Sequence, residues 1–206
     1  MGDMKSASSP RGYRMAARAQ AAARTAHDIL AATAGLWRER PVDEITLADI
    51  AERAGVSVRT VIRRFGSREG VIAAGIAQDA AGIDAERTRA AAGDVAGALE
   101  VLLAHYERDG DAVLRTLALE EKVPEARAIV NAGRALHREW CARVFAPFLP
   151  PAADAAYPVR LDALVAATDV YTWKLLRRDL GRSPGETAQV VRALVDGVLI
   201  HPPSPG

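Results

Sequence analysis

The sequence predicts an all-α protein of about nine helices. Three observations support this fold class: apolar residues recur at helical spacing, no window shows sustained period-two alternation, and the interruptions coincide with glycine and proline turns. The chain has 206 residues and is 50% hydrophobic, so it can bury a substantial core without disulfides. We therefore expect helices packed on helices throughout.

The composition also indicates in which cellular compartment the protein functions. The single cysteine, Cys141, cannot form an internal bridge, and the first residues contain no apolar run of signal-peptide length. Charges interrupt every hydrophobic segment before it reaches the roughly 18 apolar residues of a membrane span. A cytoplasmic protein that does not enter the membrane is the simplest interpretation.

The net charge of +1 conceals an asymmetry along the chain. Residues 1–70 contain 12 lysines and arginines against 8 aspartates and glutamates, whereas the remainder contains 15 against 18. A basic first third suits contact with a polyanion, although a difference of this size also arises by chance.

The first elements are an arm and a long helix. Residues 1–13 contain serine, glycine and proline without a repeating apolar face, which predicts a flexible basic arm. Contact with DNA phosphates and simple solubilisation are both open interpretations of this arm and of the nearby Arg14 and Arg18. An amphipathic helix is predicted from about residue 14 to 38, ended by Pro41.

Residues 46–69 contain the most specific motif of the chain. Thr46 can cap a first short helix, with Asp49 in the position of a capping-box partner, and Gly55 permits a sharp turn. Ser57 can cap a second helix, in which Val61 and Phe65 lie one turn apart. This pattern predicts a helix-turn-helix unit.

The remaining elements follow the turn residues. Residues 66–69 form a break with a good cap at Ser67, and a helix is predicted from Val71 to about Arg89, where it can connect two halves of the protein. Further helices are predicted at about 94–108, 111–121, 124–147, 156–180 and 184–200. Ser183 and Glu186 form a capping-box signal for the last helix, and Pro202 and Pro203 stop it.

In residues 46–75 the chain resembles the TetR family of bacterial transcriptional regulators, through Thr46 to Ala54, Gly55-Val56-Ser57, Thr60, Phe65, Ser67 and Glu69. The resemblance implies a helix-turn-helix DNA-binding domain at 14–66. It also implies a C-terminal helical effector-binding and dimerisation domain at 67–206, in which the last two helices form the dimer. The expected partners are a near-palindromic DNA operator, an unidentified small-molecule effector and a second copy of the chain.

Within the motif, the outward side chains are the candidates for DNA contact. We expect Val58, Arg59 and Arg63 to approach base edges. The other candidates hold phosphates or flank them: Thr46, Ser57, Thr60, Ile62, Arg64 and Arg68. Ile62 and Arg64 depart from the family, which commonly has Tyr and His there, so Ile62 would touch a thymine methyl or a sugar. Arg68 replaces the usual Lys and keeps its positive charge.

The C-terminal half contains side chains suited to a ligand cavity. The candidate ligand-binding residues are Leu103, Tyr106, Leu117, His137, Trp140 and Tyr171. Ordinary core packing is the alternative for each of them. His137 and Cys141 lie four apart and could share a metal, but no second close pair accompanies them, so we expect no metal site and no cofactor.

The last two predicted helices are apolar on wide faces, with Leu161, Leu164 and Val165 in one and Val190, Val191 and Leu194 in the other. Such faces favour a two-fold helical dimer over packing within one chain alone.

These observations together predict a DNA-binding regulator, most simply a homodimeric repressor released from its operator by a small molecule. One alternative is a dimeric regulator without a ligand. Another is a small helical enzyme or ligand carrier, although the chain has no glycine-rich phosphate loop, no nucleophile elbow and no catalytic residue set that would indicate an enzyme.

Overall fold

The computed structural model of the chain describes residues 10–200, with side chains from Met15 onward. That range contains nine α-helices and no β-strand, which confirms the predicted all-α class. The helices are α1 (Pro10–Glu39), α2 (Leu47–Arg53), α3 (Val58–Phe65), α4 (Arg68–Arg87), α5 (Val95–Leu119), α6 (Pro124–Val144), α7 (Ala156–Thr168), α8 (Val170–Lys174) and α9 (Pro184–Ile200). A π-helical turn at Leu175–Asp179 extends α8.

The predicted N-terminal arm is only partly within the described residues. Helix α1 begins at Pro10, before the expected start near Arg14, so residues 10–13 are helical. Proline is well placed there because the first turn of a helix needs no backbone N–H from it. Residues 1–9 of the arm, and the prolines expected to stop the last helix at 202 and 203, lie outside the described residues.

Side-chain caps form at the four positions that the sequence indicated, although α4 begins at Arg68, three residues before the predicted Val71. Thr46 and Asp49 form a complete capping box at α2, and Ser57 Oγ accepts the backbone N–H of Thr60 at α3. Ser67 Oγ accepts the N–H of Gly70 at α4. At α9, a second capping box joins Ser183 and Glu186. Each cap satisfies backbone donors that the first helical turn leaves without partners.

The break predicted at Gly110 is wrong, because α5 passes through it without interruption. A Cβ atom at this position would lie only 2.5 Å from Cζ3 of Trp173. Gly110 therefore serves the close approach of the buried Trp173 ring to α5 rather than a turn.

The single helix predicted at 156–180 is also wrong. Asp169 adopts an extended conformation with φ −72° and ψ 154°, which separates α7 from α8. Its carboxylate accepts the N–H of Tyr171 at 2.8 Å and so caps the new helix. The break turns α8 toward α5, where Trp173 meets Gly110.

Two clusters of buried apolar side chains organise the molecule. The first joins α1, α2, α3 and the start of α4, and includes Ile29, Ile50, Val61 and Ile72. The second joins α5 to α9 around Trp140, Trp173 and Phe145. Helix α4 runs from the first cluster to the edge of the second, so it is the direct covalent connection between them.

Candidate DNA interface and ligand cavity

The turn between α2 and α3 depends on one glycine. Gly55 has φ +65°, a left-handed conformation that other residues adopt only with strain. Its N–H and that of Val56 donate to the carbonyls of Glu52 and Ala51, which closes the turn. The predicted helix-turn-helix therefore forms because its turn requires a left-handed conformation and the sequence has a glycine at that position.

An inward set of side chains fixes α3. Val61 of α3 is fully buried against Ile50 of α2 and Val71 of α4, and the half-buried Phe65 packs on the same cluster. Burial of these side chains stabilises the position of the helix as well as its formation.

The opposite face of α3 is open to solvent. Val58 and Ile62 are 38% and 44% exposed, and Arg59 and Arg63 are exposed beside them. Neither arginine forms an ion pair with any residue that the structure describes. Two available guanidinium groups and two apolar side chains thus share one helical face, as direct reading of base edges requires.

The hydroxyl groups near this face are partly used by the caps. Thr46 Oγ1 donates to Asp49 Oδ2 at 2.7 Å, and the Ser57 and Thr60 hydroxyls lie 2.9 Å apart. All three belong to the first turns of α2 and α3, where the positive end of the helix dipole favours a phosphate. Their predicted phosphate contacts stay predictions.

The two remaining arginines differ from the expected arrangement. Arg64 is half-buried, and its Nε has no partner among the described residues. Arg68 points into the protein: its Nε donates to the Ile45 carbonyl at 2.6 Å, and its Nη2 donates to the Val42 carbonyl. Arg68 Nη1 also lies 3.4 Å from Glu125 on α6. Arg68 therefore joins α4 with the α1–α2 connection and α6. Its predicted phosphate contact stays a prediction.

A cavity of about 840 Å³ lies between α4, α5 and α6. Trp37 of α1 and residues 169–171 complete its wall. Most of the lining is apolar, with Ile76 and Ile83 from α4, Leu117 from α5 and Ile129 from α6. A mostly apolar cavity of this size suits a drug-sized organic molecule.

A family model described as bacterial regulatory proteins, tetR family, matches residues 29–74. The match extends from α1 through α2 and α3 into α4, which is the helix-turn-helix described above together with its supporting helices. The match covers 46 of the 206 residues, and it shows that this N-terminal region is similar to that of tetR-family regulators. This similarity supports a DNA-binding transcriptional regulator. The comparison with curated proteins gives no match.

The cavity contains four of the six predicted ligand-binding residues: Tyr106, Leu117, His137 and Tyr171. Leu103 instead lines a shallow groove with residues of α9, on the other side of α5. Trp140 is fully buried between His137 and Phe145 and does not line the cavity. Both departures arise because a helix presents different neighbours on each face, and only packing shows which face meets the cavity.

The sequence interpretation missed the contribution of α4. Ala73, Ala77 and Ala80 occur at helical spacing on its cavity face, and Arg87 lies at the end of the same face. A stripe of alanines leaves space beside a helix, and an arginine in line with it is unusual for an apolar surface. The alanine stripe in line with Arg87 is the sequence signal that could have predicted this part of the cavity wall.

Burial makes the two histidines of the cavity poor bases. It lowers the pKa of His137 to about 4 and also lowers that of His105. His137 Nε2 lies 3.1 Å from the Thr168 hydroxyl, which donates to the Leu164 carbonyl, whereas its Nδ1 has no partner among the described residues. Both rings are therefore neutral near pH 7.

Cys141 lies beside His137, as the predicted spacing requires, with Sγ 3.8 Å from Nε2. Burial raises the pKa of its thiol to about 12, so it is a thiol and not a thiolate near neutral pH. The described part of the chain contains no cluster of three or more metal-ligating side chains. Within that part, no helix is both long and apolar enough to cross a membrane.

A charged network connects the cavity to the DNA-binding domain. Asp109 of α5 has a fully buried carboxylate that accepts from Arg38 of α1 at 2.6 Å and from Arg108 at 2.9 Å. His105, which lines the cavity, places Nδ1 3.1 Å from the same carboxylate. Arg38 also contacts Asp79 of α4 at 2.6 Å. Three helices therefore meet at Arg38, next to the cavity wall.

Proposed function

We propose that this regulator is a repressor, and that a small-molecule effector in the α4–α5–α6 cavity releases it from its operator. The observation that carries the proposal is the position of α4. Its first residue, Arg68, is hydrogen-bonded to the carbonyls of Val42 and Ile45 in the DNA-binding domain. Its last residue, Arg87, lines the cavity.

The wall between the cavity and the DNA-binding domain is thin. Ile72 of α4 is fully buried in the N-terminal cluster and also lines the cavity. Because protein interiors are close-packed, a ligand that displaces α4 must also displace the groups packed on its other side. We infer that ligand binding changes the position of α3 through α4, and so the separation of two recognition helices in a dimer.

Dimerisation through α7 and α9 is part of the proposal. Helix α9 presents a solvent-exposed small and apolar stripe formed by Val190, Ala193, Leu194, Gly197 and Ile200. Val159 of the neighbouring α7 is 54% exposed, which extends the apolar surface. The opposite face of α9, with Val191 and Val195, is buried within the chain. The exposed stripe thus needs a partner, and two copies of the chain supply identical complementary stripes.

We expect Leu194→Asp to convert the dimer into a monomer, because the substitution places two like charges within an apolar two-fold interface. Sedimentation equilibrium measures the change in mass, and operator binding should weaken in parallel because two linked half-site contacts become independent. Ala81→Asp is the control, since Ala81 is exposed on α4, away from α9. A dimeric Leu194→Asp protein would contradict the proposed interface.

The proposed function is tested by selecting bound DNA from a random library with the full chain and then titrating candidate effectors. We expect a site of two inverted half-sites about one helical turn, or a multiple of it, apart. An effector that weakens operator binding must itself bind more weakly, by the same factor, when operator is present. Asymmetric single half-sites, or effector affinity that operator leaves unchanged, would contradict the proposal.

A ligand-independent regulator would have no need for such a cavity. A closed, solid core between α4, α5 and α6 would support that alternative, whereas a lining of this size and apolar character favours an effector.

A further inference from the structure

Arg87 is an arginine without a partner in an apolar setting. It is only 8% exposed, lines the cavity, and forms no ion pair with any residue the structure describes. Its Nε is buried and has no acceptor. Burial of an unpaired charge is costly, and buried arginines are normally paired with a carboxylate or another acceptor.

Aromatic rings compensate for part of this cost. The guanidinium carbon lies 5.9 Å from the centroid of the Tyr106 ring and 5.8 Å from that of the Trp140 ring. Such cation–π contacts are favourable, but a ring face leaves the N–H donors of the guanidinium unsatisfied. The rings hold Arg87 in place, but they supply no anion to pair with its charge, and its Nε stays without an acceptor among the described residues.

The carboxylates of the cavity wall are engaged elsewhere. Asp79 pairs with Arg38 at 2.6 Å, Asp84 with Arg143 at 3.6 Å, and Glu125 with Arg68 at 3.4 Å. Glu69 also lies near Arg68, and Asp169 caps α8. None of these groups neutralises Arg87 by direct contact.

The other cationic candidates of the wall are unsuitable for an anion. Arg134 already forms a two-pronged pair with Glu120, and both cavity histidines are neutral near pH 7 because burial lowers their pKa. Arg87 is thus the one cationic side chain of this wall, among the described residues, that lacks an anionic partner.

We propose that the effector is an apolar organic acid, whose carboxylate pairs with Arg87 and whose hydrocarbon body fills the space lined by Ile76, Ile83, Leu117 and Ile129. This inference deepens the proposed function, since it assigns a chemical class to the effector. A planar guanidinium matches a carboxylate with two parallel hydrogen bonds, and the mostly apolar lining strengthens that pair. Because Arg87 ends α4, the same contact acts on the helix that leads back to the DNA-binding domain.

The test uses matched acids and amides on the full chain without DNA. Decanoate is compared with decanamide, and naphthoate with naphthamide, by isothermal titration calorimetry, so that shape is kept while the charge and one acceptor oxygen are lost. We expect at least one acid to bind about tenfold to a hundredfold more tightly than its amide, as a charge-assisted hydrogen-bonded pair implies. Equal affinities within both pairs, or no binding of either acid, would overturn the inference.

Variants locate the charge contact. Arg87→Met should remove the preference for the acid and leave amide binding within about threefold, whereas Arg87→Lys should keep part of the preference because it keeps the charge. Arg134→Met is the matched control, since Arg134 lines the cavity but already has Glu120 as a partner. Loss of the preference in Arg134→Met with retention in Arg87→Met would overturn the assignment to Arg87.

The two proposals fail in different ways. Operator affinity is measured separately on the same preparations, with circular dichroism as the control for folding. A protein that prefers acids but binds no operator would refute the proposed function and support the ligand class. A protein whose operator is released equally by acids and amides would support the proposed function and refute the ligand class.

Discussion

Replacing Arg59 and Arg63 together with alanine is expected to weaken operator binding by about a thousandfold or more. Each arginine that pairs with a base edge contributes about 1–3 kcal/mol of discrimination, and a dimer presents each of them twice. Both side chains are exposed on α3 and form no ion pair with the described residues, so their removal costs the fold little. Fluorescence anisotropy with the selected operator at one fixed salt concentration measures the effect.

The control for this prediction is Arg127→Ala, which removes an exposed arginine of α6 whose partner is Glu121. It should change operator affinity by less than about threefold, because it lies outside the recognition helix and removes only one distant charge. Comparison of specific and random DNA separates two roles: an arginine that reads bases affects specific DNA more, whereas a phosphate contact affects both equally. Unchanged operator affinity in the double variant would refute α3 as the recognition helix.

Asp109→Asn is expected to lower the free energy of unfolding by about 2–3 kcal/mol near neutral pH. Its buried carboxylate accepts hydrogen bonds from two arginines, and hydrogen bonds to charged groups are the stronger ones. Asparagine keeps the shape but presents an NH₂ group to donors. Urea unfolding of the wild type and the variant measures the difference. Asp111→Asn is the control, since Asp111 is an exposed residue of the same helix with an ion pair to Arg178.

The same difference should depend on pH. Burial alone would raise the pKa of Asp109, but hydrogen bonds with His105 and Arg38 and the charge of Arg38 outweigh it and hold the pKa well below 3.8. The stabilisation is therefore complete above about pH 5 and decreases as the pH falls below 4, where the unfolded chain takes up a proton and the folded protein does not. A difference between wild type and variant that grows on acidification would contradict the assigned charge state.

The parts of the fold that the sequence predicted correctly are those determined within one helical turn. The caps at Thr46, Ser57, Ser67 and Ser183 each join a side chain to a backbone N–H three residues later, so residue type and spacing contain the whole interaction. The turn at Gly55 needs a left-handed conformation, which the residue type itself signals. The helix-turn-helix was therefore predictable from residue types and their spacing alone.

The helix boundaries that the sequence predicted wrongly depend on contacts between residues that are distant in the chain. Gly110 has the residue type of a turn, yet it is helical because the ring of Trp173, distant in sequence, occupies the space where a side chain would lie. Asp169 interrupts a pattern that favours helix, and its own carboxylate then caps α8. The sequence spacing alone does not contain the packing of α8 on α5 that both residues serve.

The features of the candidate sites also separate into those that local sequence determined and those that only packing decided. The sequence by itself determined the inward and outward faces of α3, because a helix with Val61 and Phe65 in the core must turn Arg59 and Arg63 away from it. Only the tertiary structure decided that Arg68 faces the carbonyls of Val42 and Ile45, and that Arg87 faces a cavity without a partner. An arginine has the same charge wherever it stands, and its role depends on which acceptors the packed helices bring to it.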